Sequence, residues 1–264
     1  MPIDAHVQTH YESYDEEQRL FKPGAGELTR LRSWDLFARH LPAGATVADV
    51  GGGPGTHSVH LRAAGHEVTL IDPVPRHVEA ARAKGVPARA GDARELPLAD
   101  ESVDAVLLMG PLYHLIDRAD RLRALAEARR VLRPGGVLLA EIITRHSWVM
   151  DATLRRLATP EVWAEFESIE RIGTAADPAE RAPGGFWAYF HRPEELRDEL
   201  AAAGFAGSTL AAVEGFAHLL PDLAERMREP GAVLHAVRLT ENDPSMLGAS
   251  MHVIGVATKE GKAR

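Results

Sequence analysis

The chain has 264 residues, 45% of them hydrophobic and 26% charged, the make-up of a soluble globular protein with enough material for one large core. A formal net charge of −8 speaks against a polyanionic partner such as nucleic acid, and the lack of cysteine excludes disulfides, thiolate zinc sites and a cysteine nucleophile. No stretch is long and apolar enough to span a bilayer and the first residues lack a basic segment followed by an apolar one, so a cytoplasmic protein is expected.

In chain order, residues 1–26 form a polar, acidic arm carrying Tyr11 and Tyr14. From Glu27 to Leu41 the apolar residues Leu31, Trp34, Ala38 and Leu41 recur at i, i+3, i+7 and i+10, which predicts an amphipathic helix. The run Thr46–Val50 reads as a strand covered on both faces and leads straight into Gly51-Gly52-Gly53-Pro54-Gly55. Glycines let the backbone turn sharply and approach a ligand, and a helix starting near Pro54, over Thr56–Ala64, points unsatisfied N–H groups at whatever fills the turn. A second strand, 67–72, ends at Asp72, 21 positions after Gly51, the separation at which a doubly wound fold brings a carboxylate to a ribose. Next come a helix from Pro75 to Lys84, a short strand at Val86–Ala90, and the step Gly91-Asp92-Ala93.

The fourth strand spans Ser102–Met109 and ends on Gly110-Pro111-Leu112-Tyr113-His114-Leu115, at the edge where open α/β sheets bind ligands. A helix over Arg121–Leu132 is broken by Arg133-Pro134-Gly135-Gly136 before the fifth strand, Val137–Ile143. Residues 145–190 are rich in aromatics and breakers. A helix from Pro193 to about Gly204, a strand at Ser208–Val213, a polar helical insertion over 216–249 and a last strand at Met251–Thr258 complete the chain. It reads as a single domain: a core over about 27–144 and 191–258, the arm 1–26, a lid 145–190 and the insertion 216–249.

A nicotinamide or flavin fingerprint wants a third glycine where Thr56 stands. The pattern Asp49-Val50-Gly51-Gly52-Gly53-Pro54-Gly55 instead resembles the first motif of class I S-adenosylmethionine-dependent methyltransferases, of the small-molecule, UbiE-like kind. Gly91-Asp92-Ala93 and the Leu-Arg-Pro-Gly-Gly turn follow in the same order and spacing. The resemblance implies an α/β, Rossmann-like seven-stranded sheet in the order 3-2-1-4-5-7-6, with strand 7 antiparallel and helical lid insertions. It implies S-adenosyl-L-methionine as cofactor and S-adenosyl-L-homocysteine as product, held by Asp49, Gly51, Gly53, Gly55, Asp72, Asp92, Ala93 and Met109. Without cysteine, cluster-based radical chemistry and thiolate attack are both excluded. Direct transfer to an O, N or C acceptor on a small organic molecule remains.

Because the donor is already activated, such transfer needs alignment and exclusion of water more than it needs a base. Where a base is used, histidine suits neutral pH, which makes His114 and His191 the catalytic candidates. Tyr11, Tyr14, Tyr113, His146, Trp187, Glu214 and His218 are candidates for the substrate pocket, and no metal is called for. Two other readings remain. A nicotinamide-dependent oxidoreductase accounts for Asp72 but not for Thr56, and an inactive cofactor-binding regulator accounts for every motif.

Overall fold

The computed structural model describes residues 10–11, 16–157, 159–175 and 187–261. Seven strands make one sheet: β1 (Thr46–Val50), β2 (Glu67–Asp72), β3 (Ala88–Ala90), β4 (Val103–Leu108), β5 (Leu132–Ile143), β6 (Ala206–Ala212) and β7 (His252–Thr258). Their spatial order is β3-β2-β1-β4-β5-β7-β6. β7 runs antiparallel to β5 and β6, and the other pairings are parallel. The order reverses between β1 and β4, which opens a crevice at the carboxyl ends of those strands.

Alternating side chains serve two cores, as the two-residue period of a strand requires. Val47, Leu107, Leu139 and Ile254 face Leu36 and Phe37 of α2 (Ala25–His40) and Leu61 of α3 (Thr56–Ala63). Ala48, Val106, Leu138 and Val253 face the opposite layer, where Leu125 and Ala128 of α6 (Arg118–Val131) meet Leu196 and Leu200 of α9 (Pro193–Ala202). The apolar stretches Val47–Ala48 of β1 and Ala105–Leu108 of β4 follow from this double coverage. Between these layers and the crevice lie α1 (Glu16–Arg19), α4 (Pro75–Ala83) and the single turn α5 (Pro111–His114).

Several boundaries differ from the sequence expectation by a few residues. α3 starts at Thr56, as expected, because Gly55 adopts φ 88°, a left-handed conformation outside the helix. β5 starts at Leu132 rather than Val137: Leu132 pairs with Val103, the register then shifts, and Arg133–Gly136 bulge outward with Gly135 at φ 82°. Lys259 closes the bulge, accepting from Gly135 N–H at 2.8 Å and donating to the Gly136 carbonyl at 2.9 Å.

The lid contributes α7 (Ser147–Leu154) and α8 (Pro160–Ile172). Ile169, Ala188 and Phe190 pack on Tyr113 at the end of β4, with Trp148 against them. Past β6, the insertion buries Ala217, Leu223, Met227 and Val237 against Leu28 of α2. Among the described residues, no helix is long and apolar enough to cross a membrane.

Candidate active site

A cavity occupies the crevice. One wall is the turn Gly51–Pro54 with Asp72, and the floor is Gly91–Arg94. The other wall is Met109–Pro111 with Tyr113 and His114, and Tyr11, Glu16, Arg19 and Leu20 of the arm close the top. Gly51 and Gly53 take φ of 68° and 56°. A side chain at Gly51 would begin 2.8 Å from the Pro111 ring, and one at Gly52 would begin 2.7 Å from the Asp49 carboxylate, so only glycine fits the close approach of β1, β4 and their loops.

The turn feeds α3, whose N-terminus has no side-chain cap, while Thr56 and His57 of its first turn line the cavity. N–H groups at the start of a helix suit a carboxylate. Burial, with Arg19 and His60 adding to it, pushes His57 down to about 3, so its ring is neutral, and its Nδ1 accepts from Trp34 Nε1 at 3.2 Å. Anion recognition at this end therefore rests on the backbone rather than on an imidazolium.

Asp72 is buried on the cavity wall. Its Oδ2 accepts from Gly53 N–H and its Oδ1 from Val74 N–H, each at 2.8 Å, with His77 Nδ1 at 3.2 Å from Oδ1. The carboxylate thus holds the glycine turn in shape and, with three of its roughly four lone-pair sites engaged, keeps Oδ2 open to one hydroxyl donor. His77 also lines the cavity, and its Nε2 is buried with no hydrogen-bond partner among the described residues. At the floor, Asp92 accepts from Arg94 N–H at 2.8 Å and from its guanidinium at 2.7 and 3.0 Å. Burial works against ionisation of Asp92, but these bonds win and lower its pKa. Ala93 packs beside it. The fourth-strand wall is aromatic: Tyr113 donates to the Met109 carbonyl at 3.3 Å, Tyr11 and His114 are hydrogen-bonded at 2.8 Å, and the Tyr11 ring meets the His77 ring edge-on.

Residues 48–140 match the family model of a methyltransferase domain. An uncharacterized methyltransferase of Mycobacterium tuberculosis is 44% identical over 102 residues, 37% of this chain and 40% of that protein. The human protein named probable tRNA methyltransferase 9B is 32% identical over 126 residues, 48% of this chain and 26% of that one. Among solved structures, a Thermotoga maritima S-adenosylmethionine-dependent methyltransferase described as a possible histamine N-methyltransferase superposes with a TM-score of 0.60 at 24% identity, over 97% of this chain and 99% of that one. Residues 48–140 are thus similar to a methyltransferase domain, and the fold around them is that of S-adenosylmethionine-dependent methyltransferases of known structure. The matched stretch spans under half the length of these curated relatives.

The residues of the cavity suit S-adenosylmethionine by their own geometry. The start of α3 can take a carboxylate, the buried Asp72 can take a ribose hydroxyl on Oδ2, and the orphaned Nε2 of His77 lies beside it. Of the expected cofactor residues, Gly51, Gly53, Asp72, Asp92, Ala93 and Met109 line the cavity. Gly55 shapes the start of α3 from behind it. Asp49 does not reach the cavity. It sits fully buried under the turn, accepting from Ser58 Oγ at 2.6 Å with Oδ1 left unpartnered, and burial raises it to about 6.

Of the substrate and catalytic candidates, His114, Tyr11 and Tyr113 line the cavity, and Tyr14 lies outside the described residues. The rest are placed elsewhere, which corrects the expectation for each. His191 is fully buried behind the end of β5, edge-on to Tyr189 and 3.4 Å from Glu199, and burial lowers its pKa. His146 is at the surface, paired with Glu170. Glu214 is a buried fastener that accepts from Thr29 Oγ1 at 2.6 Å, Ser250 Oγ at 3.1 Å and the His252 N–H at 2.9 Å, with His252 Nδ1 at 2.7 Å. His218 bonds the Gly215 carbonyl at 2.7 Å, and Trp187 is outside the lining. Sequence reasoning missed Glu16, Arg19, His57, His77 and Arg94. The spacing of His77, five residues after Asp72 in the first turn of α4, was the signal that could have found it.

Proposed function

We propose that the protein moves a methyl group from S-adenosylmethionine to an O, N or C acceptor on a small organic molecule, chiefly by alignment. The observation that carries this reading is the cavity's composition. Its cofactor half is polar and backbone-lined, whereas the half beyond Met109 is walled by Tyr113, Tyr11, His114 and Leu115 and closed over by the arm. Cofactor binding leaves the sulfonium methyl directed at that second half, where a small acceptor held by aromatic faces excludes water from the reaction. The proton chemistry falls on a group of this wall, and His114 is the imidazole of the expected pair that faces it.

The relatives named probable tRNA methyltransferase 9B favour a nucleic-acid acceptor instead. The net charge of −8 weighs against that reading, since phosphate backbones are gripped by basic surfaces. Calorimetry and a metabolite screen test the proposal together. S-adenosylhomocysteine should bind and, at a hundred times its Kd, stabilise the fold by about 2.7 kcal/mol, while NADH should not. A methyl group from labelled donor should appear on a small molecule. Methylation of RNA with no small molecule labelled would overturn the acceptor class.

A further inference from the structure

The charges along the α2 side of the sheet, at the carboxyl ends of β4, β5 and β7, do not balance. Glu141 of β5 lies one register step beyond the Leu108–Ala140 pair, beside Met109 of the cavity wall. Two residues after Leu139, it shares that residue's face of the sheet. Its side chain is 4% exposed and makes no hydrogen bond or ion pair among the described residues.

Four charged groups face it: Glu16 and Arg19 from α1, Glu214 from the segment after β6, and His252 from β7. From α2 the polar group nearby is Thr29, already committed to Glu214. Arg19 is spent on Glu16 at 2.8 Å and His252 on Glu214 at 2.7 Å. Each pair is one cation and one anion. Glu141 is the remainder, a buried carboxyl without a partner among the described residues, standing behind the part of the cavity lined by Met109, Glu16 and Arg19. Burial pushes it up to about 7, His252 and Arg19 draw it down, and Glu214 and Glu16 push it up again.

A lone buried carboxylate is costly and calls for a cation. A phenol, alcohol or carboxylate acceptor would leave the imbalance in place, whereas an ammonium ion removes it. We propose that the acceptor is an amine, that it enters as the ammonium ion, and that Glu141 anchors it beside Met109 and takes its proton. This deepens the methyl-transfer reading and rests on it. One N–H proton passes to a Glu141 carboxylate oxygen, and the freed nitrogen lone pair forms the N–C bond as the C–S bond breaks with its electron pair going to sulfur. The product leaves as a methylated ammonium, and Glu141 returns its proton to water. His114 shares the Met109 wall and is bonded there to Tyr11, so an ammonium acceptor gives its proton to Glu141 in place of His114.

The test uses the whole chain labelled with 13C at the glutamate carboxyl carbons, saturated with S-adenosylhomocysteine. The Glu141 resonance is identified by its loss in Glu141→Gln. We expect it to titrate near neutrality, and to have its midpoint lowered by about one pH unit or more by methylammonium or 2-phenylethylamine. Methanol and 2-phenylethanol should leave it in place. A midpoint unmoved by both amines, or moved equally by the alcohols, overturns the proposal. S-adenosylhomocysteine affinity, measured by calorimetry on wild type and Glu141→Gln, reports on the methyltransferase reading separately. Its loss in wild type sinks that reading, whereas its retention with an unresponsive Glu141 sinks only the amine assignment.

Discussion

Replacing Glu214 by glutamine separates a structural role from a substrate role. Burial alone would raise this carboxyl, but the His252 imidazolium and the hydrogen bonds from His252 and Thr29 override it and bring it down to about 2. A pKa moved from the ordinary 4.5 to about 2 corresponds to about 3 kcal/mol of folding stability. The range for breaking a buried pair, about 3–5 kcal/mol, agrees. The folded pKa is the lower one, so this stability is present above pH 4.5 and is lost as pH falls towards 2. For a chain of this size, Glu214→Gln should lower Tm by roughly 6–12 °C at pH 7, with much of the difference gone in the most acidic conditions the fold survives. Differential scanning calorimetry across pH reads this directly. S-adenosylhomocysteine affinity should stay within about twofold, far below the tenfold that 1.4 kcal/mol represents. An unchanged Tm combined with a large loss of ligand affinity would refute the argument and return Glu214 to the pocket.

Asp72→Asn should weaken S-adenosylhomocysteine about ten- to a hundredfold by isothermal calorimetry, the scale of hydrogen bonds to a charged group. It should also lower Tm, because an amide can no longer accept from both Gly53 and Val74. An unaltered affinity would remove Asp72 from the site. Asp49→Asn tests burial: since this carboxyl's folded pKa is raised from 3.8 to about 6, its ionisation costs stability as pH rises through that window. The variant should therefore gain on wild type by about 3 kcal/mol between pH 4 and pH 7 in urea titrations, and parallel pH profiles would contradict this. Gly51→Ala forces a side chain into φ 68° and onto Pro111, so cofactor affinity and about 1–3 kcal/mol of stability should both be lost. Near-wild-type binding would show that the turn yields more easily than its geometry implies.

Much of the fold was legible because its signals are local. The covered strand at Thr46–Val50, the glycine turn and Asp72 are fixed by short-range sterics and by a separation of 21 residues, and they fall where the sheet order demands. The acceptor side was not legible in the same way, because its residues are brought together by tertiary packing. His191 and Glu214 stand at strand ends, as ligand residues do, but α9 supplies Glu199 against His191, and α2 and β7 supply Thr29 and His252 to Glu214. No spacing in the sequence announces those partners. Glu141 was hidden for the opposite reason: a single acid inside an apolar strand reads as an interruption until the groups facing it are known to be spent on one another.

The arm bears on kinetics as well as on shape. Tyr11, Glu16, Arg19 and Leu20 reach the cavity from outside the sheet, and the arm is fastened by the Tyr11–His114 bond at 2.8 Å, by Arg30 donating to the Leu20 carbonyl at 3.1 Å and by the half-exposed pair of Lys84 with Glu17 at 2.7 Å. A wall that is not part of the sheet can part from it without unfolding the core. The solvent-facing latch of Lys84 with Glu17 contributes about 1 kcal/mol or less to that hold. Salt that screens the latch would shorten the residence time of the product and leave the strands that align the reacting atoms undisturbed.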